Sequence, residues 1–201
     1  MSARGQDTRS RLVAATAEVV ARVGYARATT RAIAEAAGVA EGTIYRHFPD
    51  KQHLFRAAVL ERNRPIFDWL SQLPGRAGDA TIETTLTETF RHLGRLRRDL
   101  LPLELAAFSD PELQQVVAAA TDPPEGTPLV GPPQLLADYL AAEQRLGRVR
   151  TDLDPQRAAV TLLATLFGLG MLPPDADGFP PAPLVESAVT LLVHGLQPRG
   201  A

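Results

Sequence analysis

The chain has 201 residues, 45% of them hydrophobic, with a net charge of −2. That is enough apolar material for a packed core, and it argues against global disorder. No cysteine is present, which removes disulfides, thiolate nucleophiles and thiolate-bound zinc from consideration.

The opening stretch "MSARGQDTRSRL" is charged and has no apolar run behind it, so it does not read as a signal peptide. Apolar residues at Leu12, Ala15, Val19 and Val23 follow helical spacing and define one face of a first helix, stopped at Gly24. Thr29 or Thr30 can cap a second helix running to Ala37, with Gly38 in the following turn. A third, short helix is predicted over about 40–48, and "PDK" breaks it. A long fourth helix is predicted over about 51–73, followed by a loop, "PGRAGD".

Helical patterns resume over about 80–98 and, beyond a break at Pro102, over about 100–120. The proline-rich stretch at 121–133 is predicted to be non-helical. Further helices are expected at 134–147, at 155–171 with Asp154 as cap and Pro155 at the first position, and at 183–196. "PPDADGFPPAP" separates the last two. No alternating strand pattern of any length occurs. The expected fold is all-α, with about nine helices. No segment reaches the roughly 18 apolar residues of a membrane span, and the expectation is a soluble cytoplasmic protein.

Charge is uneven along this order. Residues 1–56 hold nine Arg or Lys and five acids, a balance of +4 that leaves −6 for the remainder. A basic head on an acidic body suits a polyanion partner. A helix, a glycine turn and a short helix also form the helix-turn-helix pattern. Ile44 and Phe48 lie four apart and share the face that would anchor the short helix. Gly42, Thr43, Tyr45 and Arg46 spread over the rest of it.

The stretch "TTRAIAEAAGVAEGTIYRHFPDKQHLF", with Gly24-Tyr25 before it, resembles the TetR family of bacterial transcriptional regulators. The features that carry the resemblance are Thr29-Thr30, Ile33-Ala34, Ala37-Gly38-Val39, Gly42-Thr43-Ile44-Tyr45, His47-Phe48, and Lys51 followed by Leu54. It implies a DNA-binding domain at 8–60, with the helix-turn-helix at about 29–48, and an effector-binding and dimerisation domain at 61–201. It further implies phosphate contacts from Thr30, Tyr45, His47 and Lys51, and base contacts from Arg31 and Thr43, with Arg46 able to do either. Two residues depart from the family pattern. Ala40 stands where a capping Ser is usual, and Glu41 stands where Lys or Arg is frequent. A carboxylate there repels phosphate but can accept from a cytosine amino group.

Plainer readings exist for several of these residues. His47 can simply pack beside Phe48, Tyr45 can be a packing aromatic, and Lys51 can be a helix-start charge. His47 and His53 are six apart and off a common helical face, so a metal site is not expected, nor is any cofactor. The run "RHLGRLRRD" (91–99) reads as the solvated face and cationic end of a helix. No phosphate loop or nucleophile elbow is present, and Ser109-Asp110 and Ser187 have no His at a telling spacing, so an enzyme is not expected.

In the body, 155–171 is apolar nearly all round, so burial on every side is expected, one side against a second subunit. The family resemblance implies a homodimer through the last two helices, a palindromic operator, and a small-molecule effector that releases DNA. Phe67, Trp69, Phe90, Phe108, Tyr139 and Phe167 are candidate walls of an effector site, with ordinary core as the plainer reading of each, and Glu104 is a candidate polar anchor, with a solvated helix face as its plainer reading. The sparse charge around Phe108 and Phe167 leans toward an apolar effector. Two alternatives stand beside this reading: a DNA-binding protein of the same fold that has no effector and works through a protein partner, and a small-molecule-binding protein whose DNA-binding head has decayed, toward which Ala40 and Glu41 point.

Overall fold

The computed structural model describes residues 3–111, 113, 131–172 and 182–197. Among the described residues the regular structure is entirely helical. The chain forms two compact units. One comprises Met1–Arg64 with Asp99–Thr127, the other Pro65–Arg98 with Pro128–Ala201.

The first unit begins with α1 (Ala3–Val23), whose Leu12, Ala15, Val19 and neighbours are buried. Gly24 ends it with a positive φ of 77°, and its N–H bonds to the Val20 carbonyl at 2.8 Å. Helix α2 (Thr30–Ala37) is capped by Thr29, whose hydroxyl accepts the Ala32 N–H at 3.1 Å. It stops at Gly38, where φ is 65° and the left-handed conformation favours glycine. Arg11 of α1 donates to the Ala37 and Gly38 carbonyls, a cation placed on the negative end of α2. A single 3₁₀ turn, Glu41–Thr43, leads into the four-residue α3 (Ile44–His47). Helix α4 (Lys51–Leu70) follows, its first turn held by Asp50, which accepts the His53 N–H at 2.8 Å.

The predicted third helix is thus shorter than 40–48. Ala40 carries no side-chain oxygen to cap it, and Phe48 is already extended. The fourth ends at Leu70 rather than 73, with a separate 3₁₀ turn at Leu73–Arg76.

The break expected at Pro102 does not occur. Helix α5 runs unbroken from Ile82 to Ser109, through that proline. A proline inside a helix costs about 3 kcal/mol. Burying Leu100 and Leu103 on either side returns about 1.5–3 kcal/mol each, enough to hold the helix together. The basic run 91–99 therefore lies in mid-helix and is no helix end.

Helix α6 (Pro132–Arg145) starts on the two prolines read as connection, Pro132 and Pro133. In the first turn a missing N–H costs no hydrogen bond. Residues 121–130 of that connection, 114–120 of the expected helix before it, and 173–181 lie outside the described residues. Helix α7 (Pro155–Gly170) has the predicted start, with Asp154 accepting the Gln156 N–H at 2.8 Å. Helix α8 spans Ala182–Leu196.

In the second unit α6 lies along α7, and α8 packs on α7. Phe90, Leu136, Tyr139, Leu140, Leu162, Leu166, Val185 and Val189 fill its core. The expectation that α7 is covered on every side is not met within the chain. Ala159, Leu162, Leu166 and Gly170 are buried, while Val160, Ala164, Gly168 and Met171 form an exposed stripe on another face. No helix of the described residues is long and apolar enough to cross a membrane.

Candidate nucleic-acid interface

A four-residue helix cannot stand alone, since helix nucleation is unfavourable and few hydrogen bonds reward it. Packing holds α3. Ile44 is 0% exposed and Phe48 4%, and the Arg9 guanidinium lies 5.0 Å from the Phe48 ring centroid. With those two side chains inward, the others must face out. Glu41, Gly42, Tyr45 and Arg46 are exposed, Tyr45 at 57%, and Thr43 and His47 are half-buried. A side chain at Gly42 would meet nothing within 4 Å, so the protein's own packing does not require glycine there.

The start of α2 lies beside this surface. The Thr30 hydroxyl donates to the Glu41 carboxylate at 2.5 Å. Arg31 is exposed and pairs with Glu35 on its own helix at 3.0 Å. Thr30, Arg31, Glu41, Gly42, Thr43, Tyr45, Arg46 and His47 thus all belong to one helix-turn-helix segment with a well-packed underside.

Lys51 is placed differently. Its ammonium donates to the Tyr25 carbonyl at 2.7 Å and lies 3.9 Å from the Tyr25 ring centroid. Partial burial lowers its pKa, with Asp110 opposing that shift. Tyr25 in turn meets the Phe55 ring edge-on at 4.8 Å. Lys51 therefore ties the loop after α1 to α4. Sequence reasoning missed this tie, although the Gly24-Tyr25 pair stood beside it in the motif.

The residues expected to wall an effector site are divided between the two units. Phe90 and Tyr139 are fully buried in the second unit, and Phe67, Trp69 and Phe167 are half-buried there. Glu104 and Phe108 belong to the first unit, where Glu104 is half-buried and Phe108 is 63% exposed. Trp69 stacks on His92 at 4.0 Å between centroids, and desolvation lowers the His92 pKa, with Arg95 adding to the effect.

Three polar residues of this unit escaped the sequence reading. Arg97, within the run read as a solvated face, is only 8% exposed, with its guanidinium 4.5 Å from the Phe167 ring centroid. The spacing Leu93, Arg97, Leu100 placed it on the apolar face, and its charge masked that signal. Glu143 is buried, accepts the Gly78 N–H at 3.2 Å and pairs with Arg148 at 3.2 Å. Burial raises the pKa of neighbouring Tyr139 well above the ordinary phenol value. A surface groove of about 810 Å³ beside this cluster is lined by Gly78–Glu83, Arg148, Val193 and Gln197. None of the expected pocket residues lines it.

The sequence pattern described as "Bacterial regulatory proteins, tetR family" matches residues 12–58, which span α1 to mid-α4. The chain is 30% identical over 175 residues to the HTH-type transcriptional regulator TtgR of Pseudomonas putida, covering 82% of this chain and 79% of that protein. It is 28% identical over 196 residues to the uncharacterized HTH-type transcriptional regulator YvkB of Bacillus subtilis, covering 94% and 97%. The fold is shared with the transcriptional regulator FadR of Bacillus subtilis, solved in complex with stearoyl-CoA. That match has a TM-score of 0.72 at 22% identity, over 94% of this chain and 99% of that one. With the helix-turn-helix, the all-helical body and a relative of this identity and coverage, the chain belongs to the TetR family of bacterial transcriptional regulators.

Proposed function

We propose that this protein is a homodimeric repressor that binds a near-palindromic DNA operator through α2 and α3 and releases it when a small, largely apolar effector binds the body. One observation carries the DNA reading. Exposed Gly42, Tyr45 and Arg46 surmount a fully buried Ile44, and the protein's own packing does not call for glycine at 42. A helix that presents side chains, with room for a close backbone approach, suits a major groove. Thr30, Tyr45 and His47, with Lys51 from beside Tyr25, are read as phosphate contacts, Arg31 and Thr43 as base contacts, and Arg46 as able to do either. The domain boundary at about residue 60 and a cytoplasmic location belong to the same reading.

The dimer reading rests on the last two helices. The exposed stripe of α7 is matched on α8 by Leu184, Leu191 and Gly195, which also lie open to solvent. Apolar stripes on two adjacent helices suit a four-helix contact with a second copy. Two recognition helices then fall about one DNA turn apart, or a multiple, which demands a near-palindrome. An effector must favour the non-binding conformation, and DNA must weaken effector binding by the same factor. The stearoyl-CoA held by the fold neighbour FadR supports a ligand with an apolar chain.

The test is a gel shift with the DNA flanking the protein's own gene, with and without acyl and aromatic ligands. Retarded palindromic DNA, released by one ligand class, is the expected result. No retardation of any palindrome there at low salt overturns the reading. Retardation that no ligand relieves favours a regulator acting through a protein partner.

A further inference from the structure

The contact between Thr30 and Glu41 has no necessary place in the packing of the unit. Both groups are at the surface, and α2 already has its cap in Thr29. The Thr30 hydroxyl stands at the first residue of α2, where unpaired N–H groups and the helix dipole favour an anion. In the free protein the anion at that hydroxyl is the Glu41 carboxylate, 2.5 Å away. Arg31, the cation of the same turn, is directed to Glu35 and not to Glu41.

We infer that Glu41 is an internal stand-in for a DNA phosphate, held by Thr30 in the free protein and transferred to a base amino group on the operator. The inference rests on the DNA-binding reading above. A phosphate that approaches Thr30 meets a carboxylate already there, so the carboxylate must leave before the phosphate can take the hydroxyl. Once displaced, it lies at the head of the recognition segment, beside exposed Gly42.

A carboxylate only accepts hydrogen bonds. In the major groove the available donors are the cytosine N4 and adenine N6 amino groups. On DNA lacking such a group at that position, Glu41 is displaced without a new partner and faces phosphate repulsion. On a site that offers one, the lost contact is replaced. Glu41 thus lowers affinity for arbitrary DNA and narrows the choice of base at one position per half-site. Of the two amino donors, cytosine N4 is the expected partner, because acidic side chains accept from it.

The experiment uses the full chain and its Glu41→Gln, Glu41→Ala and Thr30→Val variants. An operator is first selected from a pool of random palindromes with the wild-type protein. Anisotropy titrations across salt concentrations then compare this operator, a generic duplex, and operators substituted at each position. Both Glu41 variants should bind the generic duplex about threefold to tenfold more tightly. They should lose about tenfold of discrimination at a single C·G pair in each half-site. In the Thr30→Val background, removing Glu41 should yield a smaller gain, because no shared hydroxyl remains.

Weaker generic binding by both variants, or unchanged affinity and base preference, would overturn the inference while the wild type still binds its operator. Loss of discrimination at an A·T pair instead would reassign the partner to adenine. Failure of the wild type to select any duplex would sink the DNA-binding reading itself, and this inference with it. Glu41→Gln keeps the shape of the side chain while removing its charge and turning one acceptor oxygen into a donating NH2, so an effect shared with Glu41→Ala cannot be ascribed to misfolding.

Discussion

Asp50 shows how one carboxylate can organise two elements. It ends the recognition segment and accepts the backbone N–H of His53 at 2.8 Å and its ring Nδ1 at 2.9 Å. The His53 backbone hydrogen bond is the main cause that holds its pKa below the ordinary 3.8. The sign follows directly. A lowered folded-state pKa gives stability that is complete above the ordinary value and lost as pH falls through the folded one. Asp50→Ala should cost about 1 kcal/mol in thermal or urea unfolding at neutral pH. That difference should close as the solution is acidified below 3.8. A difference that persists unchanged in acid would rule out the cap as its source. In DNA binding, Tyr45→Ala should weaken all sequences alike, while Arg31→Ala and Thr43→Ala should relax base preference in selection experiments. Equal loss of specificity in all three would refute that division of roles. At this scale the sequence was readable for caps and turns, because Thr29, Asp154, Gly24 and Gly38 act through local geometry. It was unreadable for Lys51 and Arg97, whose partners Tyr25 and Phe167 lie 26 and 70 residues away in the chain.

Helices are decided by burial more than by propensity, and Pro102 makes the point. Its sequence signal is a break, yet the flanking leucines outweigh the lost hydrogen bond. Pro102→Ala should therefore raise the unfolding midpoint, by up to the equivalent of about 3 kcal/mol. A lower midpoint would mean that the ring itself packs in a way alanine cannot replace. The reverse applies at α3, where local bonding is minimal and two buried side chains, Ile44 and Phe48, anchor the segment. Ile44→Ala should destabilise the first unit by about 2–5 kcal/mol in denaturant titrations. The short recognition helix was legible from the spacing of Ile44 and Phe48, but its 3₁₀ entry was not. That entry follows from Ala40, which supplies no cap to start a regular turn.

For the molecule as a whole, the feature to test is the open apolar stripe of α7 and α8. Leu191 is 71% exposed in the single chain, which is unfavourable for a large aliphatic residue unless a partner covers it. Leu191→Asp should convert the protein to a monomer in light scattering and leave its helical circular dichroism intact. Operator affinity should fall by more than tenfold, since one head then binds without the other. A dimer that survives this substitution would remove α8 from the interface. The sequence indicated that these helices were greasy, but could not say which faces the chain itself covers. That depends on which neighbour each face meets, and a second copy contributes nothing to the local pattern.

The brevity of α3 carries a thermodynamic consequence. Its single turn closes through the Phe48 N–H on the Ile44 carbonyl at 2.8 Å, with no side-chain cap at its start. Away from its buried Ile44, such a turn has few hydrogen bonds to protect its outward residues. The amide protons of residues 45–47 should therefore exchange with solvent far faster than those of α1, and slow sharply when DNA is bound. On the DNA-binding reading proposed above, operator binding includes the ordering of the outward residues of this turn, with a loss of conformational entropy and a favourable enthalpy to offset it. Calorimetry should find a larger opposing entropy on the operator than on generic DNA, where the turn remains only loosely engaged.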